Sequence, residues 1–292
     1  MERPSKARKV LLRSSVKRVI KFAIAGDSRI HGLDSFLEAN PPTAPTGTRL
    51  ESVCWMHRGA TIRELGQRIE RKRTAIESAD CIIIIGGICS LTKKEGSLVY
   101  YPESKVDSVI GEINEIVDKF GEKIQISTIP PAKLIKASQK VLKDNNRGFT
   151  VKELEQQQRI LLEDIDRINN HIINISIQRD SPTLLLAKSV LPTSKKWNRK
   201  RSKQRTVTKF RHNKLRDGVH PDHELKKIWF DIIANFMTKI ATKISRPAER
   251  EVEQVDTESA LDTTLSETEP EKEESTSESE SDHGAFRRKS RK

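Results

Sequence analysis

Three short stretches of this 292-residue chain carry residue types that can do chemistry: Gly26-Asp27-Ser28, Gly86-Gly87-Ile88-Cys89-Ser90 and Asp217-Gly218-Val219-His220-Pro221. A serine at a strand-to-helix turn has an exposed hydroxyl, and neighbouring backbone N–H groups can stabilise an oxyanion. An Asp shortly before a His on a turn lets the carboxylate reach Nδ1, which fixes the tautomer whose Nε2 accepts a serine proton. Each stretch also has a plainer reading. The serine is an ordinary helix N-cap, the Asp is ordinary chemistry of a Gly turn, and the His closes the sheet. Cys89 is either a thiolate nucleophile or redox group at the mouth of a site, or a small apolar filler behind a buried strand.

The elements that must position these residues follow from two hydrophobic periods. Val19 to Ala25 is an apolar run ending at Gly26, and Cys81 to Ile85 is another ending at Gly86-Gly87. Lys123 to Ile129 alternates and stops at Pro130-Pro131, and Leu50 to Met56 is a fourth candidate. Short β-branched runs closed by Gly or Pro predict strands, and continuous ones predict strands buried on both faces. Leu184 to Leu191 offers a fifth. Helical spacing of three and four marks Ile62 to Ile69, Val106 to Phe120, Leu154 to Ile175 and Leu225 to Ile240. Strand–helix alternation implies right-handed crossovers, hence a three-layer α/β/α sandwich around a central parallel sheet. In such a sheet reactive groups gather at the carboxyl ends of the strands, where Ser28, Arg58-Gly59 and the Gly86 to Ser90 turn all fall.

A GDS after the first strand, a Gly after the second, a Gly-rich turn after the third and a D-x-x-H before the last helix form the order found in the SGNH/GDSL hydrolase superfamily. The chain resembles that family over roughly residues 19–242. The DGVHPD run with Trp229 soon after also resembles SGNH-like proteins of invertebrate genomes and their mobile elements. The resemblance implies a flavodoxin-like SGNH fold with Ser28 as nucleophile, His220 as base, Asp217 as its orienting acid, and an oxyanion hole from Ser28 and Gly59. It also implies a third oxyanion donor, an asparagine, where this chain has Cys89. A thiol is a weak donor beside an amide NH₂, and losing one such donor costs on the order of 10²–10³ in rate. Ser90 is a candidate to compensate.

Charge divides the chain further. The whole carries +13, yet Glu249 to Asp282 holds 14 acids against two bases and the last six residues hold five bases, which leaves +20 for residues 1–248. The expected organisation is a basic N-terminal arm (1–18), a hydrolase-like domain (19–246) with a basic insertion at about 177–216, and a disordered acidic tail with a basic end (247–292). The tail has too little apolar content to offset its ordering entropy. No apolar run reaches the ~20 residues of a membrane-spanning helix, and the basic N-terminus has no secretory h-region. Three cysteines without metal-ligand spacing argue against disulfides or zinc. An intracellular protein, cytoplasmic or nuclear and without a cofactor, is the expectation.

Lys195 to Arg216 contains 11 bases and no acid, with Trp197 and Phe210 interleaved. Lys195, Lys196, Arg199, Lys200 and Arg201 can neutralise phosphates while Trp197 stacks on an unpaired base. The same run also fits an import signal or a plain charged loop. Two functions therefore compete. One is a serine esterase acting on an ester or acetyl group. The other is a degenerate hydrolase-like domain that binds nucleic acid or serves as an interaction module. Retention of Ser28, Asp217 and His220 favours the first; Cys89 and the basic body favour the second.

Overall fold

A computed structural model of the chain describes residues 18–143, 150–190, 193–198, 203–208 and 212–245. The expectations for the N-terminal arm before residue 18, for the tail from residue 247 on, and for Arg199, Lys200 and Arg201 lie outside the described residues. The strands in chain order are β1 (Arg18–Gly26), β2 (Thr48–Met56), β3 (Cys81–Ile85), β4 (Lys93–Glu95), β5 (Leu98–Tyr100), β6 (Ile124–Ile126), β7 (Thr193–Asn198) and β8 (Lys203–Thr208). The helices are α1 (Leu33–Ala39), α2 (Ile62–Glu70), α3 (Arg73–Glu77), α4 (Ile88–Leu91), α5 (Val106–Phe120), α6 (Leu134–Ala137), α7 (Gln139–Lys143), α8 (Val151–Gln178) and α9 (His223–Ser245).

The central sheet has the order β2-β1-β3-β6, with every pair parallel. Its two faces are written in the alternation of β1 and β3. Ala23, Ala25, Ile82 and Ile84 pack beneath α2, α5 and α8, while Ile20, Phe22, Ile24, Ile83 and Ile85 pack against α1 and α9. Because both faces are covered, β3 is buried along its whole length as a run of four isoleucines after Cys81. The fold is therefore the expected three-layer α/β/α sandwich. Among the described residues no helix is long and apolar enough to cross a membrane.

Two helices, α2 and α8, begin where the sequence gives the backbone a polar partner. Thr61 and Glu64 form a capping box at the start of α2, and Thr150 and Glu153 do the same for α8. Leu154, Leu161, Ile165, Ile168 and Ile172 then give α8 one buried stripe. Tyr101 donates its phenol O–H to the buried Asp164 carboxylate, tying that helix to the loop after β5.

Three segments depart from expectation. The stretch from Leu184 is not a fifth strand: it runs without ladder bonds into a 3₁₀ turn at Ala187–Val190. Leu184 accepts from the Thr128 N–H, but the Leu186 and Ser189 amides bond back within the segment, so no ladder propagates. Leu184 and Leu186 are buried all the same, which gives the stretch a strand-like apolar pattern. Likewise β6 stops after three residues. Beyond it the amides of Thr128 and Ile129 turn to the Leu184 carbonyl and the Asn169 side chain (2.9 and 2.6 Å), away from the β3 ladder. The basic insertion, read as a loop, contains the antiparallel ribbon β7–β8 with Lys196 opposite Arg205.

Candidate active site

Three adjacent strands end side by side, and each delivers one part of the site. At the end of β1 the Asp27 amide bonds to the Ile85 carbonyl of β3 (3.0 Å), and the chain turns sharply through a 3₁₀ turn at Ser28–Ile30. Asp27 caps that turn by accepting from the Arg29 N–H (2.9 Å) and pairs with the Arg29 guanidinium at 2.7 Å; both side chains are buried. Ser28 is thus held at the carboxyl end of the central strand with its hydroxyl free of capping duty.

After β2 the His57 amide bonds to the Gly26 carbonyl (2.8 Å), which carries Gly59 alongside the serine. Gly59 has φ +70°, a left-handed conformation that glycine adopts without strain. Among the described residues, the N–H groups of Ser28 and Gly59 are given to no acceptor. Both residues line the cleft.

After β3, Gly87 and Ile88 lead into α4 and place Cys89 on the wall of the same cleft. Burial is the main influence on its thiol and raises its pKa above the ordinary value. At neutral pH the group is a thiol, not a thiolate nucleophile. Cys54 and Cys81 lie elsewhere, each pushed up to about 12 chiefly by burial. The Ser90 hydroxyl accepts from the Ile62 N–H at the start of α2 (2.9 Å), and Ser90 is not among the described residues lining the cleft.

The acid–base half arrives on a tight loop before α9. Arg216 N–H bonds to the His220 carbonyl and Asp222 N–H to the Lys214 carbonyl, both at 2.7 Å, with a further bridge between Leu215 and Pro221. This pinched loop sets Asp217 under His220. Asp217 Oδ1 accepts from the Val219 and His220 amides (3.1 and 2.8 Å), while Oδ2 meets His220 Nδ1 at 2.7 Å. Partial burial works against the Asp217 charge, but the His220 amide, its ring and the Val219 amide outweigh it and hold the carboxyl below its usual range. On the other side of the ring, His220 Nε2 lies 2.7 Å from Ser28 Oγ.

The loop has its own support. Lys133 N–H donates to the Gly218 carbonyl and Lys136 Nζ to the Leu215 carbonyl, each at 2.6 Å. Gln158 on α8 in turn clamps the 132–134 backbone, accepting from Leu134 N–H and donating to the Ala132 carbonyl, both at 2.7 Å.

Ser28, Gly59, Cys89, Asp217 and His220 all line one cleft of about 860 Å³. A serine hydroxyl, an imidazole and a carboxylate in this relay can transfer a proton from Oγ to Nε2 as the oxygen attacks an electrophile. Lys195, Lys196 and Trp197 lie on β7. Four exposed cations also line the cleft: Arg58, which precedes Gly59, Arg216 at the end of the basic run, and Lys94 and Lys140, which no sequence motif marked. Lys94 belongs to the β4–β5 hairpin, whose Gly96-Ser97 turn between Lys93 to Glu95 and Leu98 to Tyr100 is the signal that could have revealed it.

No family model and no curated protein matches the chain. Solved structures similar to it include a lipase from a goat rumen metagenome (TM-score 0.46, 10% identity, covering 76% of this chain and 99% of that one). Others are a carbohydrate esterase family 3 protein from Talaromyces cellulolyticus (0.43, 14%, 77% and 100%) and a member of the lipolytic G-D-S-L family from Veillonella parvula (0.43, 8%, 73% and 95%).

Proposed function

We propose that the chain is a serine hydrolase of carboxylic esters. The observation that carries this reading is the unbroken relay from Ser28 Oγ through His220 to Asp217, with both links at 2.7 Å. His220 takes the serine proton as Oγ attacks the ester carbonyl. The developing oxyanion is met by the Ser28 and Gly59 N–H groups, with Cys89 a weak third donor. His220 then returns the proton to the leaving alkoxide, giving an acyl-serine. Water deprotonated by the same imidazole attacks the acyl carbon and releases the acid. Asp217 holds the Nδ1–H tautomer throughout and stabilises the imidazolium.

A fluorophosphonate probe tests the nucleophile. It should label the wild-type chain at Ser28 and leave Ser28→Ala unlabelled, and His220→Ala should label far more slowly while melting like the wild type. Wild-type protein that stays unlabelled at neutral pH defeats the reading.

A second reading, contact with nucleic acid, is favoured by the run of 11 bases without an acid from Lys195 to Arg216. Affinity for a single strand should fall steeply with salt and be indifferent to Ser28→Ala. Binding that does not change between low and moderate salt counts against it.

A further inference from the structure

The cleft beside Ser28 is lined by cations from four separate parts of the fold. Arg58 follows β2, Lys94 lies on the β4–β5 hairpin, Lys140 on α7, and Arg216 precedes Asp217 in the loop before α9. All four are exposed, and among the described residues none of them joins an ion pair. The carboxylates lining the same cleft are both engaged, Asp27 by Arg29 and Asp217 by His220. The mouth of the site therefore keeps four uncompensated positive charges. A concave, half-enclosed site focuses such charge on whatever enters it.

We propose that the substrate is an anionic ester, one whose alcohol portion carries phosphate or carboxylate groups that the Arg58, Lys94, Lys140 and Arg216 rim holds while the acyl carbonyl meets Ser28. This rests on the hydrolase reading and adds the chemical class of its substrate. The rim acts at the binding step. Lysine ammoniums and arginine guanidiniums tolerate either anion, and arginine favours the bidentate geometry of phosphate and carboxylate oxygens.

The test uses the full chain and three acetate esters of similar shape: phenyl acetate, 4-carboxyphenyl acetate and 4-acetoxyphenyl phosphate, each rate normalised to its own hydroxide-catalysed hydrolysis. The kcat/KM ratio of the phosphate ester to phenyl acetate should be about tenfold at low salt. It should shrink towards unity as ionic strength rises from about 0.01 M to about 1 M, because the screening length falls from about 30 Å to about 3 Å. The carboxylate arm separates a general preference for anions from one for phosphate. Lys94→Gln with Lys140→Gln should lower the ratio several-fold. A ratio near one at low salt, or one that the double variant leaves untouched, overturns the proposal. If none of the three esters is turned over, the hydrolase reading falls. The rim is then read separately, by titrating 4-hydroxyphenyl phosphate into the wild type and the double variant. Equal or absent binding overturns the anion site, and binding weakened in the double variant upholds it.

Discussion

Ser28 Oγ and His220 Nε2 stand 2.7 Å apart although 192 positions separate them in the chain. The serine is fixed by the end of the central strand and the imidazole by a pinched loop on a different part of the fold, so their meeting is a product of tertiary structure.

Asp217→Asn should cut ester hydrolysis by on the order of 10⁴ if the carboxylate sets the imidazole tautomer. It also has a signature independent of turnover. The Asp217 carboxyl is held below its usual range in the folded chain, so its contribution to stability is fully present above about pH 4 and is lost as pH falls through the lowered value. The melting-temperature gap between wild type and Asp217→Asn should therefore be constant near neutrality and close on acidification. A gap that persists to pH 2 would mean that the loop does not favour the ionised form.

Cys89→Asn exchanges a weak donor for an amide NH₂ at the cleft wall. If the oxyanion hole lacks only this donor, kcat should rise, by up to about 10²-fold, with little change in KM. Steady-state kinetics on phenyl acetate decide it. An unchanged kcat means that the Ser28 and Gly59 N–H groups suffice.

Two left-handed glycines near the site should respond differently to alanine. A Cβ at Gly218 would sit 2.4 Å from the Lys133 carbonyl oxygen and 2.6 Å from the Ala137 nitrogen, both backbone atoms that cannot swing aside. Gly218→Ala combines overpacking with left-handed strain, and should cost about 2–4 kcal/mol. A Cβ at Gly59 meets nothing within 4 Å. There only the conformational strain of about 1–2 kcal/mol applies. Urea denaturation of the two variants should show that order, and the reverse order would place the strain elsewhere.

Arg29→Met should destabilise by about 3–5 kcal/mol, because it leaves the Asp27 carboxylate buried without its cation. Adding Asp27→Asn should restore much of the loss, since the uncompensated charge is then gone. A double variant as unstable as the single one would show that the guanidinium matters through packing alone.

The layers were legible in the sequence because burial on two faces leaves an apolar signal that needs no partner to read. Cys81 to Ile85 and Val106 to Phe120 coincide with β3 and α5 residue for residue. The ends of elements were less legible where side chains from far away capture the backbone. Asn169 takes the Ile129 amide, and the local bonds of Leu186 and Ser189 turn a leucine-rich stretch into a 3₁₀ turn. Motif order anticipated that Ser28, Gly59, Cys89, Asp217 and His220 would share one cleft. The destination of the Ser90 hydroxyl and the convergence of Arg58, Lys94, Lys140 and Arg216 depend on how separate elements pack, which neither composition nor periodicity encodes.

The Gln158 carboxamide has a reach that its position on α8 conceals. It grips the chain at Ala132 and Leu134, this segment grips the loop at Gly218 and Leu215, and the loop carries the imidazole. Alignment of the proton relay is thus borrowed from the stiffness of a 28-residue helix. A neutral amide that touches neither serine nor histidine becomes the fulcrum on which their meeting turns.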